Sequence, residues 1–203
     1  MRKLYWLGGI MAILIILYLT LFQEKEVEYA ELTLERNFRG NPEASVVLVE
    51  FSDFQCPACA AAQAVAAQVL DDYQGKIKLE FKHLPLTTIH RSAYKAAEAA
   101  ECAGDQKKFW EYHDLLFNHQ NNLESSDLEN YASQVGIDIE LWRDCLLAHA
   151  KKYIIEKDLN EARNLGLNST PSFFLNGQKV SDWQKLPALV QALVEPVAMS
   201  NEQ

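Results

Sequence analysis

Two cysteines separated by two residues are the part of this sequence best suited to chemistry; they stand in the motif Cys56-Pro57-Ala58-Cys59. The motif follows a strand-like run at 46–51, so Cys56 is expected at the start of a helix. Unpaired N–H groups and a partial positive charge at a helix N-terminus favour a thiolate over a thiol, and proline suits the first helical position. The spacing therefore predicts a nucleophilic Cys56 with Cys59 as its resolving partner.

The same cysteine pair has other interpretations that stay open at this point. Half of a zinc site would need two more ligands at suitable spacing, but the sequence has no second Cys-x-x-Cys motif and no His pair. A plain structural disulfide is another interpretation. A non-catalytic peptide-binding chaperone, or a metal chaperone that holds a soft ion such as Cu(I), is a further one. We favour redox chemistry and expect neither a bound metal nor a cofactor.

Apolar patterns on both sides of the motif predict the elements that position it. Residues 46–51 are β-branched and almost wholly apolar, which indicates a strand buried on both faces. A helix over 57–74, stopped by Gly75, and an alternating strand over 77–81 follow. Strand, helix and strand together form a βαβ unit with parallel strands.

The rest of the chain predicts a helical block and then a second group of strands. From about residue 90 to 165 the spacing is helical almost throughout, and Ser126 with Glu129 has the pattern of a capping box. Strands at 172–175 and 178–180, joined by an Asn-Gly turn, precede a closing helix. The predicted fold class is α/β, with one sheet built from both ends of the domain and the helical block inserted between them.

A charge-free apolar run at 4–22 precedes this domain. A helix of 19 residues spans about 28 Å, close to the roughly 30 Å hydrocarbon core of a bilayer. Because Arg2 and Lys3 precede the run, the positive-inside rule places the domain outside the cytoplasm. A cleaved signal peptide is the alternative, although no Ala-x-Ala-like site follows the run. Both interpretations put the domain where disulfides form.

The predicted organisation has four parts. They are an N-terminal membrane anchor at 1–22, a tether with a possible edge strand at 23–45, the α/β domain at 46–195 and a tail at 196–203. A hydrophobic content of 49% is that of a folded protein. The formal net charge of −9 argues against nucleic acid as a partner, because non-specific binding to nucleic acid needs a basic surface.

Cys102 and Cys145 are the remaining cysteines, 43 residues apart in separate predicted helices. In an oxidising compartment we expect them to form a disulfide that joins those helices. Closure of so long a loop would stabilise the fold by about 4 kcal/mol in the chain-entropy model. Two buried free thiols that act as small apolar side chains are the alternative.

Three parts of the sequence resemble the DsbA-like thioredoxin-fold oxidoreductases. They are GNPEA leading into VVLVEFSDFQCPAC (40–59), EAAECA with FWEYH (98–103 and 109–113), and GLNSTPSFFLNG (166–177). The similarity covers about residues 38–195. It implies a thioredoxin fold with a helical insertion, and thiol–disulfide exchange on proteins outside the cytoplasm.

The resemblance also implies partners and a location. The substrates would be cysteine-containing secreted or periplasmic proteins, and the redox partner a membrane protein, either a quinone-linked oxidase or an electron donor. The domain would be held at the bacterial cytoplasmic membrane by a single N-terminal helix, or be soluble in the periplasm if that segment is cleaved.

Family roles carry over to particular residues. Thr170-Pro171 matches the cis-proline loop, which in the family faces the cysteines and pairs with the backbone of bound peptide. Glu50 resembles the buried acid that takes the proton of the resolving thiol, since a buried carboxylate has a raised pKa. Lys82 resembles the partner of that acid. The alternatives are an ordinary trans proline and two solvated surface charges.

One position departs from the family pattern. Strongly oxidising members have histidine immediately before the second cysteine, whereas this chain has Ala58. Because alanine supplies no charge or donor, we expect the pKa of Cys56 to lie closer to that of an ordinary thiol. Asp53 would disfavour the thiolate further if its carboxylate pointed toward the sulfur. The redox direction therefore stays open between oxidase, isomerase and reductase.

Overall fold

The computed structural model of the protein describes residues 37–195, which belong to one compact unit. The predicted anchor at 1–22, residues 23–36 of the tether with its possible strand at 32–34, and the tail at 196–203 lie outside the described residues, whereas residues 37–45 of the tether are described. Within 37–195, no helix combines the length and the apolar character needed to cross a bilayer.

A five-stranded mixed sheet forms the centre of the domain, in the order β1-β3-β2-β4-β5. Strands β2 and β3 are parallel, and every other neighbouring pair is antiparallel. The strands are β1 (Phe38–Gly40), β2 (Val46–Ser52), β3 (Ile77–His83), β4 (Ser172–Leu175) and β5 (Gln178–Val180). Since β2 lies between two neighbours and is covered on both faces, its almost unbroken apolar sequence is explained.

Helix α1 (Pro57–Asp72) connects the two parallel strands and packs on one face of the sheet. Its buried residues Ala62, Ala66 and Val69 share a core with Leu48 of β2. The helix α7 (Leu186–Val194) closes the same core, and a short 3-10 turn at Trp183–Lys185 leads into it. The predicted βαβ unit and closing ββα group thus form one sheet, and the α/β prediction is confirmed.

Five helices form the insertion between β3 and β4. They are α2 (Ala93–Gly104), α3 (Phe109–Asn118), α4 (Ser125–Gln134), α5 (Ile139–Leu147) and α6 (Lys152–Asn164). Small alanines on α2 allow close packing, and the indole of Trp142 lies buried with its N–H donating to Ala99 O at 2.9 Å. The insertion thus forms a second core, which it shares with Phe54, Cys56, Cys59 and Phe81 from the sheet part of the domain.

The start of α4 differs from the predicted capping box at Ser126 and Glu129. The N-cap residue is Glu124, whose carboxylate accepts from the backbone of Asp127, while the Asp127 side chain accepts from Glu124 N. Both caps satisfy N–H groups at a helix end that lack intrahelical partners. The capping box is therefore formed by Glu124 and Asp127, two residues earlier in the chain than predicted.

Candidate active site

The two motif cysteines lie where β2 passes into α1, and both are unbridged thiols in this structure. Cys56 is the N-cap of α1 with extended backbone angles, and Pro57 occupies the first turn. Cys59 N donates to Cys56 O at 3.0 Å, which places the second cysteine within the first helical turn. Both residues are buried, but Cys56 keeps an exposed fraction of 7% whereas Cys59 has none, so the first cysteine is the more accessible of the two.

The thiol of Cys56 is strongly acidified. Its pKa is lowered from 9.0 to about 5, mainly by a hydrogen bond from Cys59, with contributions from Thr170 and from the backbone N–H groups of Cys59 and Ala58. The expectation that Ala58 would leave this pKa near that of an ordinary thiol is therefore wrong. The hydrogen bond from Cys59 and, to a smaller extent, the backbone N–H groups at the helix N-terminus act on the sulfur whatever side chain position 58 carries.

The resolving cysteine has the opposite character. Burial raises the pKa of Cys59 far above its ordinary value, and its hydrogen bond to the Cys56 sulfur raises the pKa further. A pair divided in this way holds one stable thiolate and one protonated thiol. That division suits attack at Cys56 and proton transfer at Cys59.

The Thr170-Pro171 peptide bond is cis, as the resemblance implies. The loop faces the cysteine pair, because Cys56 Sγ lies 3.5 Å from Thr170 O, to which it donates when the thiol is protonated. Pro171 leads directly into β4, which pairs with β2 in antiparallel register. The sheet thereby brings together Cys56 and a proline that lies more than a hundred residues away in sequence.

Glu50 lies in β2 and is fully buried. Burial raises the pKa of its carboxyl from 4.5 to about 7, although the nearby Ser52 hydroxyl and Gln63 amide lower it in part. Glu50 Oε1 accepts from Gln63 Nε2 at 2.7 Å. Gln63 follows Cys59 by four residues on α1, so the two side chains share one face of the helix. Glu50 is thus directed to the side of the resolving thiol.

Lys82 is not the partner of Glu50. In the parallel register of β2 and β3, Glu50 pairs with Phe81 and Phe51 pairs with Lys82. Residues paired in register point to the same face, and successive residues point to opposite faces. Lys82 therefore lies on the opposite face of the sheet from Glu50, where its Nζ is 2.5 Å from Glu161 Oε1 of α6. The predicted pairing of Lys82 with Glu50 is wrong.

Asp53 was expected to disfavour the thiolate if its carboxylate pointed toward the sulfur, but this carboxylate binds other groups. It accepts from Gln55 N at 2.7 Å and Leu86 N at 2.7 Å, and His90 Nδ1 lies 2.9 Å away. Its backbone oxygen accepts from Cys56 N at 3.0 Å. The buried side chain thus joins the turn before Cys56 to the loop after β3.

Sequence reasoning missed two glutamines that contact this site. Gln63 binds Glu50, and Gln120, from the connection between α3 and α4, donates to Phe54 O at 2.8 Å and Cys56 O at 2.9 Å. The helical spacing of four from Cys59 could have indicated Gln63. Nothing in the local sequence indicates Gln120, because its contact depends on how the insertion packs.

Cys102 of α2 and Cys145 of α5 are joined by a disulfide. The bond links two helices of the insertion, as the sequence predicts, and leaves Cys56 and Cys59 as the unbridged pair. The disulfide thus crosslinks the insertion and does not involve the thiols of the Cys-x-x-Cys motif.

Comparison with known proteins agrees with this geometry. A family model described as thioredoxin matches residues 33–195, so the chain belongs to the thioredoxin family. A thioredoxin-like oxidoreductase from Silicibacter pomeroyi is similar with a TM-score of 0.70 and 27% identity, over 78% of this chain and 91% of that one. The thiol-disulfide exchange protein alpha-DsbA2 from Wolbachia pipientis has a TM-score of 0.71 and 25% identity, over 81% and 91%. These neighbours confirm the resemblance to DsbA-like thiol–disulfide oxidoreductases.

Curated relatives include a much longer protein. The Na(+)/H(+) antiporter NhaA 1 of Salinispora arenicola is 39% identical over 160 residues, which are 79% of this chain and 24% of that protein. The chain thus spans about a quarter of the length of the curated relatives it matches.

Proposed function

We propose that the protein is an extracytoplasmic thiol–disulfide oxidoreductase that donates disulfides to secreted or periplasmic proteins. The observation that carries the proposal is the lowered pKa of Cys56, about 5, at a helix N-terminus that faces the Thr170-Pro171 loop. A stable thiolate favours the reduced form of the pair, and a disulfide whose reduced form is favoured is a strong oxidant. Disulfide donation is therefore preferred over reduction or isomerisation.

The proposed exchange has two balanced steps. A substrate thiolate attacks Cys56 Sγ; the mixed disulfide forms, the Cys56–Cys59 bond breaks, and Cys59 leaves as a thiolate that takes up a proton. A second substrate thiolate then attacks the substrate sulfur of the mixed disulfide, and Cys56 leaves as a thiolate. The substrate loses two electrons and the cysteine pair gains them.

Glu50 would supply the proton that Cys59 needs. With a pKa of about 7, the carboxyl is present in both protonation states at neutral pH, which suits a group that donates and accepts protons. Its contact with Gln63 directs it to the Cys59 face of α1. Thr170 and Pro171 would bind the substrate backbone beside Cys56.

A separate oxidant must restore the Cys56–Cys59 disulfide, and we propose a quinone-linked membrane oxidase for this step. The apolar run at 4–22 supports attachment to the cytoplasmic membrane, with the domain on its outer side. Fractionation of the full chain tests the attachment, because a mature soluble form that starts near residue 23 would indicate cleavage instead.

The activity is tested with two variants and two assays, oxidation of reduced unfolded ribonuclease and reduction of insulin. Cys56→Ser should abolish both activities, and Cys59→Ala should accumulate mixed disulfides with substrate. A variant with Cys102 and Cys145 both replaced by alanine is the control, and should retain exchange while folded. Full activity in Cys56→Ser would contradict the proposal, and peptide binding without exchange in the unaltered protein would indicate a chaperone.

A further inference from the structure

Gln120 connects the insertion to the backbone on both sides of Gln55. It lies between α3 and α4, and its single amide nitrogen is 2.8 Å from Phe54 O and 2.9 Å from Cys56 O. Phe54 and Cys56 are both buried. One side chain of the insertion thus binds the peptide segment that carries the nucleophile.

The two carbonyls depend on Gln120 to different degrees. Phe54 precedes α1 and lies outside its hydrogen-bond pattern, and buried backbone oxygens without a donor are costly. The Gln120 amide has two N–H donors, one for each of the two carbonyls. Cys56 O also accepts from Cys59 N at 3.0 Å and Ala60 N at 3.2 Å, so the Gln120 bond is added at the first turn of the helix.

Asp53 holds the same turn from the other side. Its carboxylate accepts from Gln55 N at 2.7 Å, and its backbone oxygen accepts from Cys56 N at 3.0 Å. Donors and acceptors of the turn are therefore fixed by two different parts of the fold. The direction of the Cys56 side chain depends on both.

We propose that Gln120 is a positioning residue for the Cys56 thiolate. By binding the carbonyls of Phe54 and Cys56, it keeps those oxygens turned away from the sulfur and keeps the backbone N–H groups of Ala58 and Cys59 turned toward it. The insertion thereby helps to set the acidity of Cys56 and the redox equilibrium of the pair. This inference deepens the proposed exchange and rests on it for its biological meaning.

Gln120→Glu is the main test, because the carboxylate is nearly isosteric yet cannot donate to the carbonyls and adds a negative charge near the sulfur. We expect the Cys56 acid dissociation constant to fall about tenfold, as for a charge at several ångströms in a partly buried site. The equilibrium constant with glutathione should move toward the protein disulfide by a similar factor. Thiolate absorbance against pH and glutathione titration measure the two quantities.

Gln106→Glu is the matched control. Gln106 also lies in the insertion and also binds backbone, donating to Asp138 O at 3.1 Å and accepting from Asp138 N at 2.8 Å. The substitution makes the same change of charge at the start of α5, without a bond to the redox turn. It should leave both the Cys56 pKa and the glutathione equilibrium within about twofold of the unaltered protein.

Gln120→Ala provides a second arm that adds no charge. Hydrogen exchange at Gln55 N and Cys56 N should become faster, and the Cys56 pKa should rise by less than in Gln120→Glu. The inference would be overturned by equal Cys56 pKa values in Gln120→Glu and Gln106→Glu. It would also be overturned if Gln120→Ala changed neither the hydrogen-exchange rates nor the Cys56 pKa. The pKa, glutathione and hydrogen-exchange measurements need no protein substrate. A negative result in the ribonuclease assay would therefore contradict the proposed function without contradicting the role of Gln120.

Discussion

Replacing Glu50 with glutamine should change the pH dependence of folding stability. Burial raises the pKa of Glu50 from 4.5 to about 7, so the folded state binds this proton more tightly than the unfolded state. A difference of that size corresponds to about 3 kcal/mol of free energy of unfolding. Glutamine has a similar shape, keeps an oxygen for Gln63, and does not titrate.

The sign of the effect follows from the raised pKa. The contribution of Glu50 to stability is complete below the unfolded-state value of 4.5 and is lost as the pH rises through about 7. The free energy of unfolding of Glu50→Gln, taken relative to that of the unaltered protein, should therefore rise by about 3 kcal/mol when the pH is raised from roughly 4 to roughly 9. Urea unfolding of the oxidised protein at both pH values measures this, since thiols do not titrate in the disulfide.

Glu43→Gln is the control for this experiment. Glu43 is exposed in the connection before β2, so its replacement should give nearly the same stability difference at both pH values. A Glu50→Gln variant that behaves like Glu43→Gln would refute the argument, because it would mean that the Glu50 carboxyl is not desolvated. The same Glu50→Gln variant should also slow proton transfer to Cys59 and hence the formation of mixed disulfides at neutral pH.

Three further predictions concern stability and redox poise. Replacing Cys102 and Cys145 with alanine should lower the free energy of unfolding by about 4 kcal/mol, measured by urea denaturation, because a long loop is no longer closed. Lys82→Met should destabilise the fold by about 1–3 kcal/mol, since it removes the cation that contacts the partly exposed Glu161 carboxylate, yet it should not change the pKa of Cys56. Ala58→His should lower that pKa further and raise the reduction potential by tens of millivolts, because about 30 mV corresponds to 1.4 kcal/mol in a two-electron couple; an unchanged potential would show that the helix terminus alone controls it.

Local patterns were sufficient to predict most of the fold. The apolar run that became β2, the helix that begins at Pro57 and the hairpin near the C-terminal end each carry a period or a turn signal that needs no knowledge of distant residues. The position of Cys56 at a helix N-terminus was predictable for the same reason, since it is a local property. The bridge between Cys102 and Cys145 followed from helix placement and redox compartment.

Two side-chain contacts between distant segments were not predictable, those of Lys82 and of Gln120. The partner of Lys82 depends on the register of β2 against β3, and a shift of one residue would exchange the two faces of the sheet. Gln120 reaches Cys56 only because α3 and α4 pack beside the redox turn. The low pKa of Cys56 was not predictable from the side chain at position 58, because its largest cause is the hydrogen bond from Cys59, to which Thr170 and the backbone N–H groups add.

The reduction potential of the Cys56–Cys59 pair, measured by equilibration with glutathione, tests the central claim most directly. A thiolate as stable as that of Cys56 predicts an oxidising pair, with a potential above about −200 mV, nearer to the value of about −120 mV for DsbA than to about −270 mV for thioredoxin. The thiolate absorbance of the reduced protein should titrate near pH 5 in the same preparation. A potential at or below about −270 mV, with a Cys56 pKa close to that of an ordinary thiol, would contradict the account.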